Sequence, residues 1–296
     1  MNGDNQLSPG AKFRLALKQE TPLQIMGTIN AFCALLAERT GYRAIYLSGA
    51  GVANASYGLP DLGYTSLEDV LEEIKRIAQI SALPLLVDGD TAWDNPQQSV
   101  SAFIAAGAAG IHIEDQVALK RCGHRLGKAL VSVSEMQSRL QMAVAGRVDP
   151  EFVIMARTDA LSVEGFDAAV ARAQAYVEAG ADMIFAEALT TLAEYKQFTQ
   201  AVAVPVLANI TEFGQTPLFT VAELKAVGVD MVLYPLSAFR AMNAAALHVY
   251  QTVREQGTQQ NVLSSMQTRS ALYEILDYET SERDIDVLLT GQSDEK

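Results

Sequence analysis

Eight short apolar runs recur along the chain: LQIMGTI, AIYLSG, LPLLVDGD, GIHIED, FVIMART, MIFAEA, PVLANIT and MVLYPL. Each is strand-length and rich in Ile, Val, Leu or Met. Between them lie amphipathic stretches such as SLEDVLEEIKRIAQI, SVSEMQSRLQMAVAG, FDAAVARAQAYVEAG and TVAELKAVG, several opening on Ser or Thr with an acid two or three residues later, as helix starts do. Near-continuous apolar strands alternating with helices predict a parallel sheet covered on both faces, and eight such units close a (β/α)8 barrel. Gly41, Gly107, Gly180 and Gly228 each separate a helical stretch from the next run, where the chain leaves a helix through a left-handed residue. A doubly wound open sheet is the competing architecture, but no GxGxxG or GxxxxGK turn follows any run. After the eighth run, SAFRAMNAAALHVYQTVREQGT and NVLSSMQTRSALYEILDYETSERDIDVLL supply more helix than one unit requires. The expected fold is an α/β (β/α)8 TIM barrel, one domain over residues 1–296 with a C-terminal helical extension over about 238–290.

Lys and Arg total 22 against 35 Asp and Glu, a net charge of −13, which repels phosphate backbones and anionic lipid alike. No apolar stretch approaches the roughly 18 residues of a membrane span, so neither nucleic acid nor a membrane is an expected partner. The N-terminus has no apolar region after a basic start, so the expected location is cytoplasmic. Two cysteines, Cys33 and Cys122, suit a reducing compartment, and Cys33 falls at helical spacing with Leu36 and Ala37 as a core residue. An anionic small substrate would have to be held by local arginines or a bound cation, against the global field.

In a (β/α)8 barrel the chemistry sits at the C-terminal ends of the strands. This chain places a polar residue on nearly every one: Ser48, Asp88 and Asp90, Glu114 and Asp115, Arg157 and Asp159, Glu187, Asn209 and Thr211. Any one of them could simply cap a βα turn. The set could not, since Arg157, Glu114 and Glu187 are poor caps and ionisable groups converging on one ring repel unless a cation or an anionic ligand joins them. Asp88 and Asp90, two apart on an expected strand, would point to one face and suit a hard cation such as Mg²⁺. Only three histidines exist, and His112 within GIHIED reads as a satisfied core imidazole. The second constellation is QVALKRCGHR, where Cys122 sits among Lys120, Arg121 and His124 with Gly123 beside it. Neighbouring cations favour a thiolate and make such a cysteine a usable proton donor or acceptor.

The motifs KRCGH, GLPDLG, HIEDQ, MARTDA, ANITEFG, YPLSAFRAMN and MQTR together resemble the isocitrate lyase and phosphoenolpyruvate mutase superfamily over nearly the whole chain. KRCGH resembles the lyase signature, and the other motifs resemble the methylisocitrate branch. The resemblance implies a homotetramer with C-terminal helices exchanged between subunits. It also implies retro-aldol cleavage of a tricarboxylate, 2-methylisocitrate, to pyruvate and succinate in the 2-methylcitrate cycle of propionate catabolism. The implied cofactor is Mg²⁺ at Asp88 and Asp90, with Asp61 and Glu114 supporting it through waters. Cys122 is the implied catalytic acid, with Lys120, Arg121 and His124 around it. The implied substrate contacts are Ser48, Gly49, Ala50, Gly123, Arg157, Glu187, Asn209, Ile210, Thr211, Arg240 and Arg269, of which the arginines supply local positive charge. Phe185, Leu233 and Pro235 match an apolar wall that accepts the extra methyl.

Two departures from the family pattern stand out. Ser48-Gly49-Ala50 replaces the usual SGG. The usual D-x-D-T/I-G-F/Y/W-G reads Asp88-Gly89-Asp90-Thr91-Ala92-Trp93-Asp94, with both later glycines replaced. The following helix is shorter by about four residues, close to one turn of about 3.6, so it can start a turn late with its buried face in phase. Asn95 as N-cap, Pro96 at the first helical position and Gln98 three after the cap would build that start. If either lost glycine had a positive φ, Ala92 or Asp94 would strain the loop by roughly 1 kcal/mol or more. Two alternatives to this reading stay open: a lyase acting on isocitrate or another 2-hydroxy tricarboxylate, and an impaired barrel that binds dicarboxylates because its metal loop is shortened.

Overall fold

The computed structural model describes residues 7–117 and 127–290. Along the chain run α1 (Pro9–Gln19), β1 (Leu23–Gly27), α2 (Ala31–Arg39), β2 (Ala44–Leu47), α3 (Gly49–Tyr57), α4 (Leu67–Ile80), β3 (Leu85–Asp88), α5 (Pro96–Ala106), β4 (Gly110–Glu114), α6 (Val133–Ala145) and β5 (Val153–Thr158). There follow α7 (Leu161–Glu164), α8 (Phe166–Glu178), β6 (Met183–Ala186), α9 (Leu192–Ala201), β7 (Val206–Asn209), α10 (Val221–Ala226), β8 (Met231–Tyr234), α11 (Ser237–Gln256), α12 (Arg269–Leu276) and α13 (Tyr278–Thr290). The strands pair in sequence order into a closed parallel barrel, which β1 and β8 seal in the register Leu23↔Met231 to Met26↔Tyr234. Every one of the eight apolar runs is a barrel strand, so the doubly wound alternative is excluded. The glycines at 41, 107, 180 and 228 all have left-handed φ, between 83° and 107°.

Closure sorts the side chains by the two-residue period of a strand. Ala44 and Tyr46, Leu86, Val153 and Met155, Met183 and Phe185, Leu207, and Met231 and Leu233 point inward and fill the barrel with one cluster, plugged from below by fully buried Phe13 of α1. The alternate residues, among them Ile45, Leu47, Val87, Ile111, Ile154 and Ile184, pack outward against Ile74, Phe103, Leu140, Tyr176 and Phe198 of the helices. Strands buried on both faces therefore read as continuous apolar runs.

α5 starts as the shortened loop predicts. Asn95 is its N-cap and accepts a hydrogen bond from the Gln98 amide at 3.1 Å, and Pro96 opens the first turn. The chain divides into two compact units, residues 1–239 and 240–296. The second holds most of α11, then α12, capped by Thr268, and α13, with Tyr273 and Tyr278 stacked at 4.2 Å between ring centres. Leu288 and Leu289 of α13 are largely exposed. Among the described residues no helix is long and apolar enough to cross a membrane.

Asn95→Ala removes the cap on which the late helix start depends. Chemical denaturation should show a loss of about 1 kcal/mol, and an unchanged midpoint would refute that dependence.

Candidate active site at the barrel mouth

One inward step above the apolar filling, the same two-residue period brings a polar layer to the C-terminal end of the barrel. Ser48 follows Tyr46, Asp88 follows Leu86, Glu114 follows His112, Arg157 follows Met155, Glu187 follows Phe185 and Asn209 follows Leu207. All six are buried, as are Asp90, Asp159 and Thr211. Of the polar strand-end residues only Ser48 caps a helix, accepting from the Gly51 amide at the start of α3. Helix capping thus accounts for one member of the set.

Asp88 ends β3, but Asp90 lies beyond the strand with a left-handed φ of 47°. Strand alternation therefore does not aim the two carboxylates, as the spacing had suggested; the loop does. They converge all the same. A Cβ built on Gly49 would stand 3.2 Å from Asp88 Oδ2 and 3.3 Å from Asp90 Oδ1, so both carboxylates face the same point and a side chain there would crowd them. The Gly49 amide donates to Asp88 Oδ2 at 3.1 Å and the Asp90 amide donates to Asp88 Oδ1 at 3.2 Å. His112 is buried beside the site: its Nε2 stands 3.6 Å from Asp88 Oδ1 and shares a 2.8 Å hydrogen bond with the Tyr46 hydroxyl.

Arg157 is the cation of the layer. Its guanidinium meets Asp159 Oδ2 through Nε at 3.0 Å, Glu187 Oε2 at 3.2 Å and Glu114 Oε2 at 3.5 Å, and lies over the Phe185 ring at 5.1 Å. Burial favours the neutral form, but the surrounding carboxylates Asp159, Glu187, Glu114 and Asp88 outweigh it and raise the pKa well above the usual arginine value. Arg157 is a permanent cation. Asp159, fully buried, also receives Lys128 Nζ at 2.7 Å. Behind it, Asp115 accepts from the Asp159 amide at 2.9 Å and from the Thr158 and Tyr176 hydroxyls, both at 2.8 Å, with Arg172 at 3.7 Å. Arg172 in turn forks onto Glu164 through two 2.7 Å bonds. This outer network fixes the backbone at Asp159 and so the carboxylate that orients Arg157.

Five buried carboxylates, Asp88, Asp90, Glu114, Asp159 and Glu187, share the layer with two buried cations, Arg157 and Lys128. Such an excess of negative charge out of water is costly unless a further cation joins it. Among the described residues no group of three or more His, Cys, Asp and Glu is gathered to hold a metal. The pair Asp88 and Asp90 fits the kind of cation that takes one or two carboxylates and completes its shell with water and substrate oxygens, as Mg²⁺ does.

Of the other expected site residues, Ala50 is in the first turn of α3 and Asp61 in the loop between α3 and α4. Asn209 Nδ2 donates to Glu187 at 3.4 Å. Ile210 turns its side chain into the outer apolar layer and its amide to the Leu233 carbonyl, so its side chain is not brought to the mouth. Arg240 and Arg269 belong to the second unit, both exposed. Lys120, Arg121, Cys122, Gly123 and His124 lie outside the described residues. Sequence reasoning missed Tyr46 and Lys128. Tyr46 was findable, two residues before Ser48 on the same strand face; Lys128 meets Asp159 only in three dimensions.

The family model for phosphoenolpyruvate phosphomutase matches residues 13–254. The chain is 61% identical over 285 residues to the 2-methylisocitrate lyase of Escherichia coli (strain K12), covering 95% of this chain and 96% of that one. Among solved structures it is similar to 2,3-dimethylmalate lyase, a member of the phosphoenolpyruvate mutase/isocitrate lyase superfamily, at 31% identity and a TM-score of 0.87 with 94% of each chain covered. It is also similar to a phosphonopyruvate hydrolase complex with oxalate and Mg²⁺, at 31% identity and a TM-score of 0.81 over 95% of this chain and 98% of that one.

Asp159→Asn keeps the shape of the side chain and removes the charge that Arg157 and Lys128 both face. Equilibrium unfolding should show a loss of about 3 kcal/mol or more, the cost of breaking a buried pair from one side. A change within 1 kcal/mol, well below that cost, would show that the two cations find other partners.

Proposed function

The chain belongs to the phosphoenolpyruvate phosphomutase family, and from that premise we propose that this carbon–carbon lyase cleaves 2-methylisocitrate to pyruvate and succinate with the help of Mg²⁺. The observation that carries the reading is the convergence of Asp88 and Asp90 on the space above Gly49, in the same buried layer as the permanent cation Arg157. That layer offers both halves of what a tricarboxylate needs in an acidic protein: carboxylates to hold a dication and a guanidinium to receive a substrate carboxylate.

Asp88 and Asp90 would hold the cation directly, with Glu114 and Asp61 acting through waters. Bound there, Mg²⁺ supplies Lewis-acid neutralisation of the charge that builds up on the α-hydroxycarboxylate half of the substrate. The protein's own groups do the rest. Arg157, held by Asp159 and Glu187, is preorganised to receive a carboxylate, and buried donors aimed in advance cost no reorganisation as the carbon–carbon bond breaks. Asn209, Thr211, Ser48 and the backbone of Gly49 and Ala50 complete the polar wall. Arg240 and Arg269 are assigned to the remaining carboxylates. Cys122, flanked in sequence by Lys120, Arg121, Gly123 and His124, is the proton donor to the succinate-side carbanion. Phe185 and Leu233 of the apolar filling lie below Glu187 and the β8 end, on the side assigned to the extra methyl. A homotetramer in which α12 and α13 pack on neighbouring subunits, in the cytoplasm, fits the exposed Leu288 and Leu289.

Pyruvate release from 2-methylisocitrate should require Mg²⁺, stop with EDTA and exceed glyoxylate release from isocitrate. A protein turning over neither substrate would sink the reading. Cys122→Ser should lower kcat by about 10²- to 10⁴-fold, the usual contribution of a positioned acid, with Mg²⁺ binding retained.

A further inference from the structure

The loop that carries Asp90 holds three non-glycine residues in a backbone conformation that side chains disfavour. Asp90, Ala92 and Trp93 have φ of 47°, 67° and 51°, three left-handed non-glycine residues within four positions. Such a conformation persists only where its surroundings over-determine it. The turn closes on itself through the Ala92 amide, which donates to the Gly89 carbonyl at 2.7 Å, while Ser99 of α5 donates to the Ala92 carbonyl at 3.0 Å. Trp93 makes the long-range hold. Its Nε1–H donates to the Thr65 carbonyl at 3.2 Å, and its ring meets Phe103 of α5 edge-on at 5.9 Å. Thr65 ends the segment 58–65 that carries Asp61. One side chain therefore fastens the Asp90 turn both to the helix beneath it and to the loop across from it.

We propose that Trp93 is a positioning residue: by anchoring the left-handed turn to Thr65 and α5, it holds the Asp90 carboxylate beside Asp88 for the divalent cation. This rests on the metal reading of the Asp88–Asp90 pair given above. Ala92 is the position that resists the turn most plainly, since it lacks the local hydrogen bonds with which aspartate tolerates this region. Ala92 and Trp93 should therefore be coupled: with glycine at 92 the turn no longer needs the indole anchor.

The test is calorimetric titration of the full-length protein with Mn²⁺ and with Mg²⁺, alongside thermal melting, for the parent, Trp93→Phe and Trp93→Phe/Ala92→Gly. Trp93→Phe keeps a ring against Phe103 and removes only the N–H donor. It should weaken metal binding by roughly three- to tenfold, the worth of one hydrogen bond. Adding Ala92→Gly should restore most of that affinity, although the lost methyl leaves the melting temperature lower. A merely structural tryptophan would lower melting and leave metal affinity alone, which would overturn the proposal. So would weakened binding that glycine at 92 fails to relieve. If the parent binds neither metal, the metal reading itself falls, and this inference with it. A second measurement needs no variant. Trp93 is the chain's sole tryptophan, so its emission should shift saturably on metal titration with the calorimetric midpoint. Unchanged emission at saturating metal would also count against the proposal.

Discussion

Closing eight parallel strands into a barrel leaves no edge and gives every inward side chain one shared interior. With a side-chain period of two, each strand can send only every second residue there. The chain uses those positions in two levels. Leu, Met, Val, Phe and Tyr fill the lower one, and Ser48, Asp88, Glu114, Arg157, Glu187 and Asn209 occupy the next. The polar ring is a consequence of strand length and register, since each strand ends one inward step above the apolar filling. Groups from six strands are thus brought together without any of them being near another in sequence.

That convergence creates an electrostatic problem inside a protein that already carries a net charge of −13. Lys128 and Arg157 offset part of the buried negative charge, and Asp159 joins them in one bridge. The outer network of Asp115, Thr158, Tyr176 and Arg172 holds Asp159 from behind, so the guanidinium is fixed by layers reaching from β4 to α8. The remaining carboxylate excess gathers at Asp88 and Asp90, where Gly49 leaves space. A site of this kind binds a cation and an anionic substrate together more readily than either alone, because each offsets the charge the other brings.

Much of this was legible from residues. The eight runs, the glycines at helix ends, the ring of polar strand ends and the helix start at Asn95 follow from periodicity and capping, which are local. The aim of Asp90 is not encoded by spacing, for a physical reason: the strand ends at Asp88, and the following turn is left-handed, so two residues apart no longer means a shared face. Ala92 shows the converse. The strain expected from a lost glycine is there, at φ 67°, whereas Asp94 escapes it and Trp93 takes it instead.

The sequence by itself determined the number of units, the barrel, and which residue types stand at the strand ends, because hydrophobic period and turn chemistry act over a few residues. Only the tertiary structure decided which of those groups meet. The pairing of Lys128 with Asp159, of Arg157 with Glu187 and of Trp93 with Thr65 joins positions 28 to 31 residues apart. No local pattern encodes such distances. They are set when closure of the barrel fixes the register of every strand against its neighbours.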